Sequence, residues 1–312
     1  MKIIAWILLG FVVLIILALA YYLVVGAILF RFAFSRRSVT AKALKKNFDQ
    51  KLKDNKIDLC WWNAQKFEKV RTTSHDGLKL IGHLKEANSN KTVIVVHGFG
   101  GNYQEMQQYC KFFVQKNFNV LTIDNRTHGE SEGKCIGFGW LDSKDILQWI
   151  KFVNDKTPDN QILLFGLSMG GAAVCMTAGE TELKNVAAIV SDCAYANADR
   201  QIEHVMRKHK FFFKLVKKHL YSYAKRIHNF DVYAADAAKQ VKNTKVPILY
   251  IHGQEDEFVP LENLKVLYEA TPAEMREKYV VEGASHAMAY PVAGVLYEKK
   301  VCDFLRKRTL IG

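Results

Sequence analysis

The hydrophobic pattern of the chain changes abruptly near residue 30. From Ile3 to Phe30, 28 consecutive residues carry no charge, whereas about 20 apolar residues are enough to span a bilayer as a helix. The pattern therefore predicts a transmembrane anchor over residues 1–30. A cleaved signal peptide is the alternative, because Ala18-Leu19-Ala20 resembles a cleavage site. The apolar run continues ten residues beyond that site, which favours a retained anchor.

From residue 66 onward, short apolar runs alternate with amphipathic stretches of helical length. Val93–Val96 and Ile162–Phe165 are apolar at every position, which is typical of strands that are covered on both faces of a parallel sheet. This alternation predicts an α/β domain over residues 66–312, with a mostly parallel eight-stranded sheet and helices on both faces. The predicted strands are Phe67–Thr73, Leu78–Lys85, Thr92–Val96, Asn119–Ile123, Gln161–Phe165, Val186–Val190, Val246–Ile251 and Glu277–Val281, and the predicted helices are 103–116, 143–155, 170–180, 261–270 and 293–307.

One insertion, residues 198–245, interrupts this alternation. It is basic and aromatic, with runs such as Phe211-Phe212-Phe213-Lys214. Its position between two strands predicts a helical cap over the carboxyl edge of the sheet, where ligands of α/β proteins bind. An ordinary surface insertion is the alternative. His219 and His228 are expected to belong to the basic face of this cap.

The net charge of +13 is concentrated in two segments. Residues 31–56 contribute +7 and residues 198–245 contribute +8, which leaves −2 for the rest of the chain. Residues 31–65 are predicted to be a basic, helix-prone juxtamembrane connector. Because Arg31–Lys56 follows the predicted membrane helix, we expect it and the basic cap to bind a lipid surface, and we expect no nucleic acid partner.

Flanking charge also predicts the orientation of the anchor. Lys2 alone precedes the helix, whereas six basic residues follow it closely, at positions 31, 36, 37, 42, 45 and 46. Positive charge is enriched on the cytoplasmic side of membrane helices, so the large domain is expected to be cytoplasmic. The six cysteines are scattered, without a CxxC pair, so the sequence predicts neither a disulfide scaffold nor a zinc site.

The strongest chemical motif is Gly166-Leu167-Ser168-Met169-Gly170. It follows a predicted strand and opens a predicted helix, which is the context of a nucleophile elbow. Glycine is needed two residues before and two residues after the serine, because the sharp turn brings neighbouring elements close to positions 166 and 170. This motif predicts Ser168 as a nucleophile.

A serine nucleophile needs a base, which is oriented in turn by an acid. His286 lies in a small-residue loop after the last predicted strand and is the candidate base. Asp256, after the strand 246–251, is the candidate acid, and its neighbours Glu255 and Glu257 are chemically equivalent alternatives. Asp192 is a further geometric rival, although we expect it to cap the following turn.

Acyl transfer also needs hydrogen-bond donors for the oxyanion. The backbone N–H of Met169 is one candidate by position, and that of Phe99 is the second. Phe99 lies in the glycine-rich loop 97–102, which lacks the Gly-Lys-Ser/Thr sequence of a phosphate-binding loop. His97, His128 and His252 are expected to be structural.

With these motifs, the chain resembles the α/β-hydrolase superfamily over about residues 66–307. The set is most similar to the esterase and serine-aminopeptidase-like branch, often found behind an N-terminal membrane segment. The resemblance implies that Ser168 is the nucleophile, Asp256 the acid and His286 the base, with Phe99 and Met169 as oxyanion donors and no cofactor or metal. It departs at Thr127, where relatives often have glycine. The motifs are Asp76–Leu80, His97–Gly100, Asp124–Ser131, the elbow around Ser168, His252–Pro260 and Ala284–Ala287.

Together these observations predict a membrane-anchored serine hydrolase that cleaves a small-molecule acyl ester, amphipathic or lipid-like, through an acyl-enzyme. A peptidase or amidase with the same three residues is the first alternative. A membrane-bound binding protein that kept the fold and lost turnover is the second.

Overall fold

Eight strands form one sheet in the computed structural model, which describes residues 2–35, 46, 50, 53, 57–181 and 183–312. Their spatial order is β1-β2-β4-β3-β5-β6-β7-β8. The pairs β1–β2 and β2–β4 are antiparallel and the other pairs are parallel, so the sheet is mostly parallel, as the sequence predicts. The strands are β1 Glu68–Thr73, β2 Lys79–Lys85, β3 Lys91–Val96, β4 Asn119–Ile123, β5 Gln161–Leu167, β6 Val186–Asp192, β7 Ile248–Gly253 and β8 Arg276–Val281.

Helices cover both faces of this sheet. Successive residues of a strand point to opposite faces, and the core follows that alternation: Ile94 and Val96 join one buried cluster, whereas Val93 and Val95 join the other. The helices are α1 Lys2–Ala33, α2 Leu59–Ala64, α3 Gln107–Gln115, α4 Trp140–Lys156, α5 Met169–Thr177, α6 Ala198–Val205, α7 Lys210–His228, α8 Ala237–Gln240, α9 Glu262–Ala270, α10 Ala289–Ala293 and α11 Val295–Arg306. This is the predicted α/β-hydrolase architecture.

Several element boundaries differ from the sequence prediction, among them the start of the helix Trp140–Lys156 and the end of the helix Met169–Thr177, and two further differences have a local reason. The predicted helix 293–307 starts at Val295, because Gly294 adopts a positive φ of 49° and separates α10 from α11. The predicted helix 103–116 begins as a 3-10 turn, Tyr103–Met106, before α3. Most of the predicted connector 31–65, and with it most of Arg31–Lys56, lies outside the described residues.

Helix α1 is long and apolar enough to cross a membrane, a property that an N-terminal signal sequence shares. Its C-terminal part packs against α7 of the insertion. A Cβ on Gly26 would lie 2.2 Å from a ring carbon of Tyr223, so glycine permits the close approach. The Tyr22 hydroxyl lies 3.1 Å from the Ser222 hydroxyl.

The same packing corrects the expectation for two histidines of the insertion. His219 Nε2 lies 3.1 Å from the Tyr22 carbonyl oxygen, and the His228 ring stacks on Phe30 at 3.7 Å. Both side chains therefore contact α1 and do not belong to a solvated basic face. The prediction failed because the spacing of basic residues on α7 does not reveal which face a second helix covers.

The end of α1 is tied to the α/β domain. Phe34 is buried, and its carbonyl oxygen accepts a hydrogen bond of 2.8 Å from the Ile136 N–H. Its ring lies 5.4 Å from that of Phe138, in the loop after β4. The insertion also contacts the loop after β7, where Gln201 donates a hydrogen bond to the Phe258 carbonyl. These contacts join α1, the insertion and the carboxyl edge of the sheet.

Candidate active site

The turn between β5 and α5 holds Ser168 in a conformation that non-glycine residues rarely adopt. Its φ is 56° and its ψ is −115°, and backbone strain of this kind costs about 1–3 kcal/mol and concentrates at functional sites. The turn has no room for a side chain at position 166 or at position 170. A Cβ on Gly166 would lie 2.2 Å from the Gly170 carbonyl oxygen, and one on Gly170 would lie 2.2 Å from the Val96 carbonyl oxygen.

Ser168, His286 and Asp256 form a continuous chain of hydrogen bonds. The Ser168 Oγ lies 2.9 Å from His286 Nε2, and His286 Nδ1 lies 2.7 Å from Asp256 Oδ2. Three residues that are distant in sequence therefore meet at the carboxyl edge of the sheet. Asp256 is buried, whereas Glu255 and Glu257 beside it are exposed. Of these three carboxylates, the structure brings Asp256 to the imidazole.

The surroundings of Asp256 keep it ionised and fixed. Burial opposes ionisation, but hydrogen bonds from His252 and His286 outweigh it and hold the pKa of Asp256 well below its usual range. Its other oxygen, Oδ1, accepts hydrogen bonds from the N–H groups of Phe258 and Val259, at 3.0 and 2.8 Å. His252 is a neighbour that sequence reasoning assigned only a structural role. Its spacing of four residues before Asp256 was the available signal.

Asp192 does not cap the turn after β6, contrary to the sequence prediction. Its Oδ2 accepts a hydrogen bond of 2.8 Å from the Tyr297 hydroxyl, and its Oδ1 has no partner among the described residues. Burial raises the pKa of Asp192 to about 6. Its backbone carbonyl accepts the N–H of Ser168 at 2.8 Å, so this residue supports the strained turn through its main chain.

A tight turn at residues 98–101 brings the second candidate donor to the site. The Gly101 N–H donates to the Gly98 carbonyl at 3.2 Å, and Gly100 adopts a φ of 70°, as glycine does in such turns. A Cβ on Gly98 would lie 3.8 Å from the Ser168 hydroxyl, so the loop borders the serine. The N–H groups of Phe99 and Met169 donate no hydrogen bond within the part of the chain that the structure describes.

Two neutral imidazoles hold this loop. His128 Nε2 accepts the Gly100 N–H at 3.0 Å, while its Nδ1 lies 2.9 Å from the Arg126 carbonyl. His97 Nε2 accepts the Asn125 N–H at 3.0 Å, while its Nδ1 lies 2.7 Å from the Gly98 carbonyl. Each ring thus accepts at one nitrogen and donates at the other, which requires the neutral form. Both histidines are structural, as the sequence predicts.

The buried imidazole of His97 makes stability depend on pH. Burial lowers the pKa of His97 to about 3, whereas an unfolded histidine binds a proton below about pH 6.5. Between these values the unfolded chain holds the extra proton, so the free energy of unfolding falls with decreasing pH, by about 1.4 kcal/mol per pH unit. We expect His97→Gln to make the melting temperature less dependent on pH between pH 7 and pH 5, while His83, whose pKa burial lowers to about 4, keeps its own contribution.

Exposed His209 supplies the matched control. His209→Gln should retain the wild-type dependence of melting temperature on pH. An unchanged dependence in His97→Gln would contradict the assignment of a buried, neutral imidazole at this position.

Two groups of side chains in the described residues lie close enough to share a metal ion: Cys193 with Asp256 and His286, and His75 with Asp76 and Asp145. Asp256 and His286 bond each other, and burial raises the pKa of the Cys193 thiol well above its usual range. The two carboxylates of the second group bind the buried guanidinium of Arg126 instead, Asp145 at 2.6 and 2.7 Å and Asp76 at 3.0 Å. The carboxylates of both groups are therefore already bound by side chains of the protein: Asp256 by His286, and Asp76 and Asp145 by Arg126.

Thr127 occupies the position where the resemblance leads one to expect glycine. It takes a positive φ of 70°, and its hydroxyl donates a hydrogen bond of 2.9 Å to the Cys135 carbonyl. Threonine therefore adopts here the backbone conformation that glycine adopts most easily. The side chain bonds within its own loop.

Known proteins are similar in sequence to most of this chain. Residues 87–230 match the family model for serine aminopeptidase, S33, a range that includes Ser168 and ends before Asp256 and His286. The chain is 25% identical to YqkD of Bacillus subtilis, an uncharacterised protein, over 84% of this chain and 88% of that one. It is 24% identical to YfhR of Escherichia coli, also uncharacterised, over 78% of this chain and 81% of that one.

A solved structure is also similar to this chain in fold. The esterase Pf2001 of Pyrococcus furiosus is 25% identical, with a TM-score of 0.64, over 78% of this chain and 92% of that one. The sheet order, the strained serine turn and these similarities agree. The chain therefore has the α/β-hydrolase fold, and its residues 87–230 match a serine aminopeptidase family model.

Proposed function

We propose that the protein is a serine hydrolase that cleaves an acyl ester through a covalent acyl-enzyme. The single observation that carries the proposal is the hydrogen-bonded chain from Asp256 through His286 to Ser168. A serine hydroxyl is weakly nucleophilic, and such a chain supplies the base that it needs. No cofactor takes part in the proposed reaction.

In the proposed reaction, Ser168 Oγ attacks the ester carbonyl while His286 Nε2 takes its proton. Asp256 keeps the other imidazole proton on Nδ1 and stabilises the imidazolium that forms. The N–H groups of Phe99 and Met169 bind the oxyanion of the tetrahedral intermediate. His286 then protonates the leaving alcohol, and an attacking water repeats the same steps to release the acid and regenerate Ser168.

Ester hydrolysis is the first choice of reaction because Pf2001, which matches nearly its whole length to this chain, is described as an esterase. Amide or peptide hydrolysis by the same residues is the second candidate, favoured by the match to the serine aminopeptidase family. A non-catalytic binding role would require the site to be inactive despite its intact hydrogen bonds.

We also propose that α1 anchors the enzyme in a membrane, with the α/β domain on the cytoplasmic side. Support comes from the length of α1 and from the excess of basic residues after it. In this arrangement Arg31–Lys56 and the basic insertion bind lipid headgroups. Amphipathic acyl esters, drawn from the membrane surface, are then the proposed substrates, and no nucleic acid is involved.

The test is turnover of graded p-nitrophenyl esters by the full chain in detergent micelles. We expect hydrolysis that favours medium and long acyl groups over acetate, and slower cleavage of aminoacyl p-nitroanilides. Preference for acetate would contradict the amphipathic substrate class, and faster anilide cleavage would establish the peptidase alternative. Ser168→Ala is the control for turnover by the proposed site.

A further inference from the structure

The first turns of α7 expose a compact apolar patch. Phe211 is 80% exposed, Phe212 57% and Leu215 66%, whereas Phe213 between them is buried in the cluster that packs α7 against the rest of the insertion. Large apolar side chains that cluster on a surface mark an interaction site. The second half of the same helix is covered by α1, so the patch begins where the contact with α1 ends.

The direction of α7 relates this patch to the membrane. Tyr22 meets His219, Gly26 meets Tyr223, and Phe30 meets His228. Residue numbers rise together along both helices, so the two run parallel. Phe212 comes seven residues before His219, and it therefore lies about 10 Å nearer to the start of α1 than Tyr22 does. That direction leads toward the uncharged, exposed middle of α1.

The charge around the patch indicates which surface it meets. No acidic residue occurs from His204 to Phe230. Exposed basic residues surround the aromatic ones, at positions 207, 208, 210, 214 and 218. Aromatic and aliphatic side chains flanked by lysines are typical of helices that lie in the interface of an anionic bilayer.

We propose that the start of α7, Lys210–Leu215, is a second membrane contact, which enters an anionic bilayer beside α1. The inference rests on the proposed membrane span of α1. Phe211, Phe212 and Leu215 insert among the acyl chains, and the long side chains of the lysines extend from them to phosphate and carboxylate headgroups. Two helices thus fix the α/β domain against the bilayer, where one anchor alone would leave it free to rotate.

Aromatic contacts connect this side of the molecule to the candidate active site. Phe34, at the end of α1, lies 5.4 Å from Phe138, and Phe138 lies 5.4 Å from Phe99. Phe99 carries one of the proposed oxyanion donors. These packed rings connect the membrane-facing side of the molecule to the loop beside Ser168.

Depth measurements on the full chain in vesicles test the inference. A spin label is attached to Phe211→Cys or Leu215→Cys in a Cys60→Ser background, because the other five cysteines are buried. Labels at Leu14→Cys on α1 and at exposed Lys242→Cys serve as references. Relaxation by oxygen, which enters lipid, is compared with relaxation by a water-soluble nickel chelate.

We expect labels at 211 and 215 to show an oxygen-to-nickel ratio about threefold or more above that at 242, in vesicles that contain phosphatidylglycerol. A ratio equal to that at 242 would overturn the inference, provided that the label at 14 reports lipid. Exclusion of both relaxing agents would also overturn it, since a second copy of the chain would then cover the patch. An aqueous label at 14 would instead refute the proposed span.

The contribution of the lysines is tested separately. Lys208→Gln, Lys210→Gln and Lys214→Gln are combined in the Leu215→Cys background. We expect the label at 215 to become shallower in anionic vesicles, with little change in vesicles of phosphatidylcholine alone. The same depth in both lipids, with and without the lysines, would refute the anionic bilayer as the partner.

Discussion

Asp256→Asn is expected to lower kcat about 10⁴-fold while the protein stays folded. The asparagine Oδ1 can still accept the N–H groups of Phe258 and Val259, which fix the turn. Its amide nitrogen, however, takes the position of the oxygen that faces His286. An N–H donor there forces the imidazole proton onto Nε2, and Nε2 can then no longer accept the proton of Ser168.

Steady-state hydrolysis of a p-nitrophenyl ester by the full chain measures this effect. Glu255→Gln and Glu257→Gln are the matched controls, because both carboxylates adjoin Asp256 in sequence and are exposed. They should retain activity within a factor of about two, since surface changes away from the site have small effects. A loss of less than tenfold in Asp256→Asn, or an equal loss in either control, would contradict the proposed role of Asp256.

Gly170→Ala is expected to destabilise the fold by about 3 kcal/mol or more, at the upper end of the cost of overpacking. The added Cβ would lie 2.2 Å from the Val96 carbonyl oxygen and 2.7 Å from that of His97. Both atoms belong to the backbone at the end of the central strand β3, which cannot move aside as a side chain can. The turn that carries Ser168 must therefore open, and activity is lost with it.

Thermal unfolding of the full chain in detergent checks this prediction. The expected loss corresponds to a decrease of about 6–12 °C in melting temperature for a domain of this size. Gly10→Ala is the control, because its Cβ would meet nothing within 4 Å on α1. A melting temperature of Gly170→Ala close to that of the control would show that the turn is looser than its geometry indicates.

The sheet was predictable because its strands are covered on both faces. Ile162–Phe165 is apolar throughout and forms the centre of β5, which runs on to Leu167. A short apolar run of this length, bounded by turn residues, is typical of a buried strand, so neighbouring elements hardly alter the prediction. The start of helix α11 could not be predicted in this way, because the break at Gly294 depends on a backbone conformation that glycine permits but does not require.

The contact between α1 and α7 could not be predicted from the pattern. The sequence pattern of an apolar helix of membrane length does not show whether lipid or protein covers one side of it. Gly26 and the nearby rings of Tyr22 and Phe30 are the only signs in the sequence, and they acquire meaning once α7 is seen to lie against them. Asp192 was misjudged for a similar reason, since its partner Tyr297 lies 105 residues away.

Covalent labelling with a fluorophosphonate tests the central claim most directly. The reagent phosphonylates a serine only when a neighbouring base activates its hydroxyl, so it reports the proposed relation of Ser168 to His286 without assuming a substrate. Mass spectrometry of the labelled full chain should find the adduct on Ser168, and Ser168→Ala and His286→Ala should remain unlabelled. An adduct on another residue, or undiminished labelling of Ser168→Ala, would contradict the account.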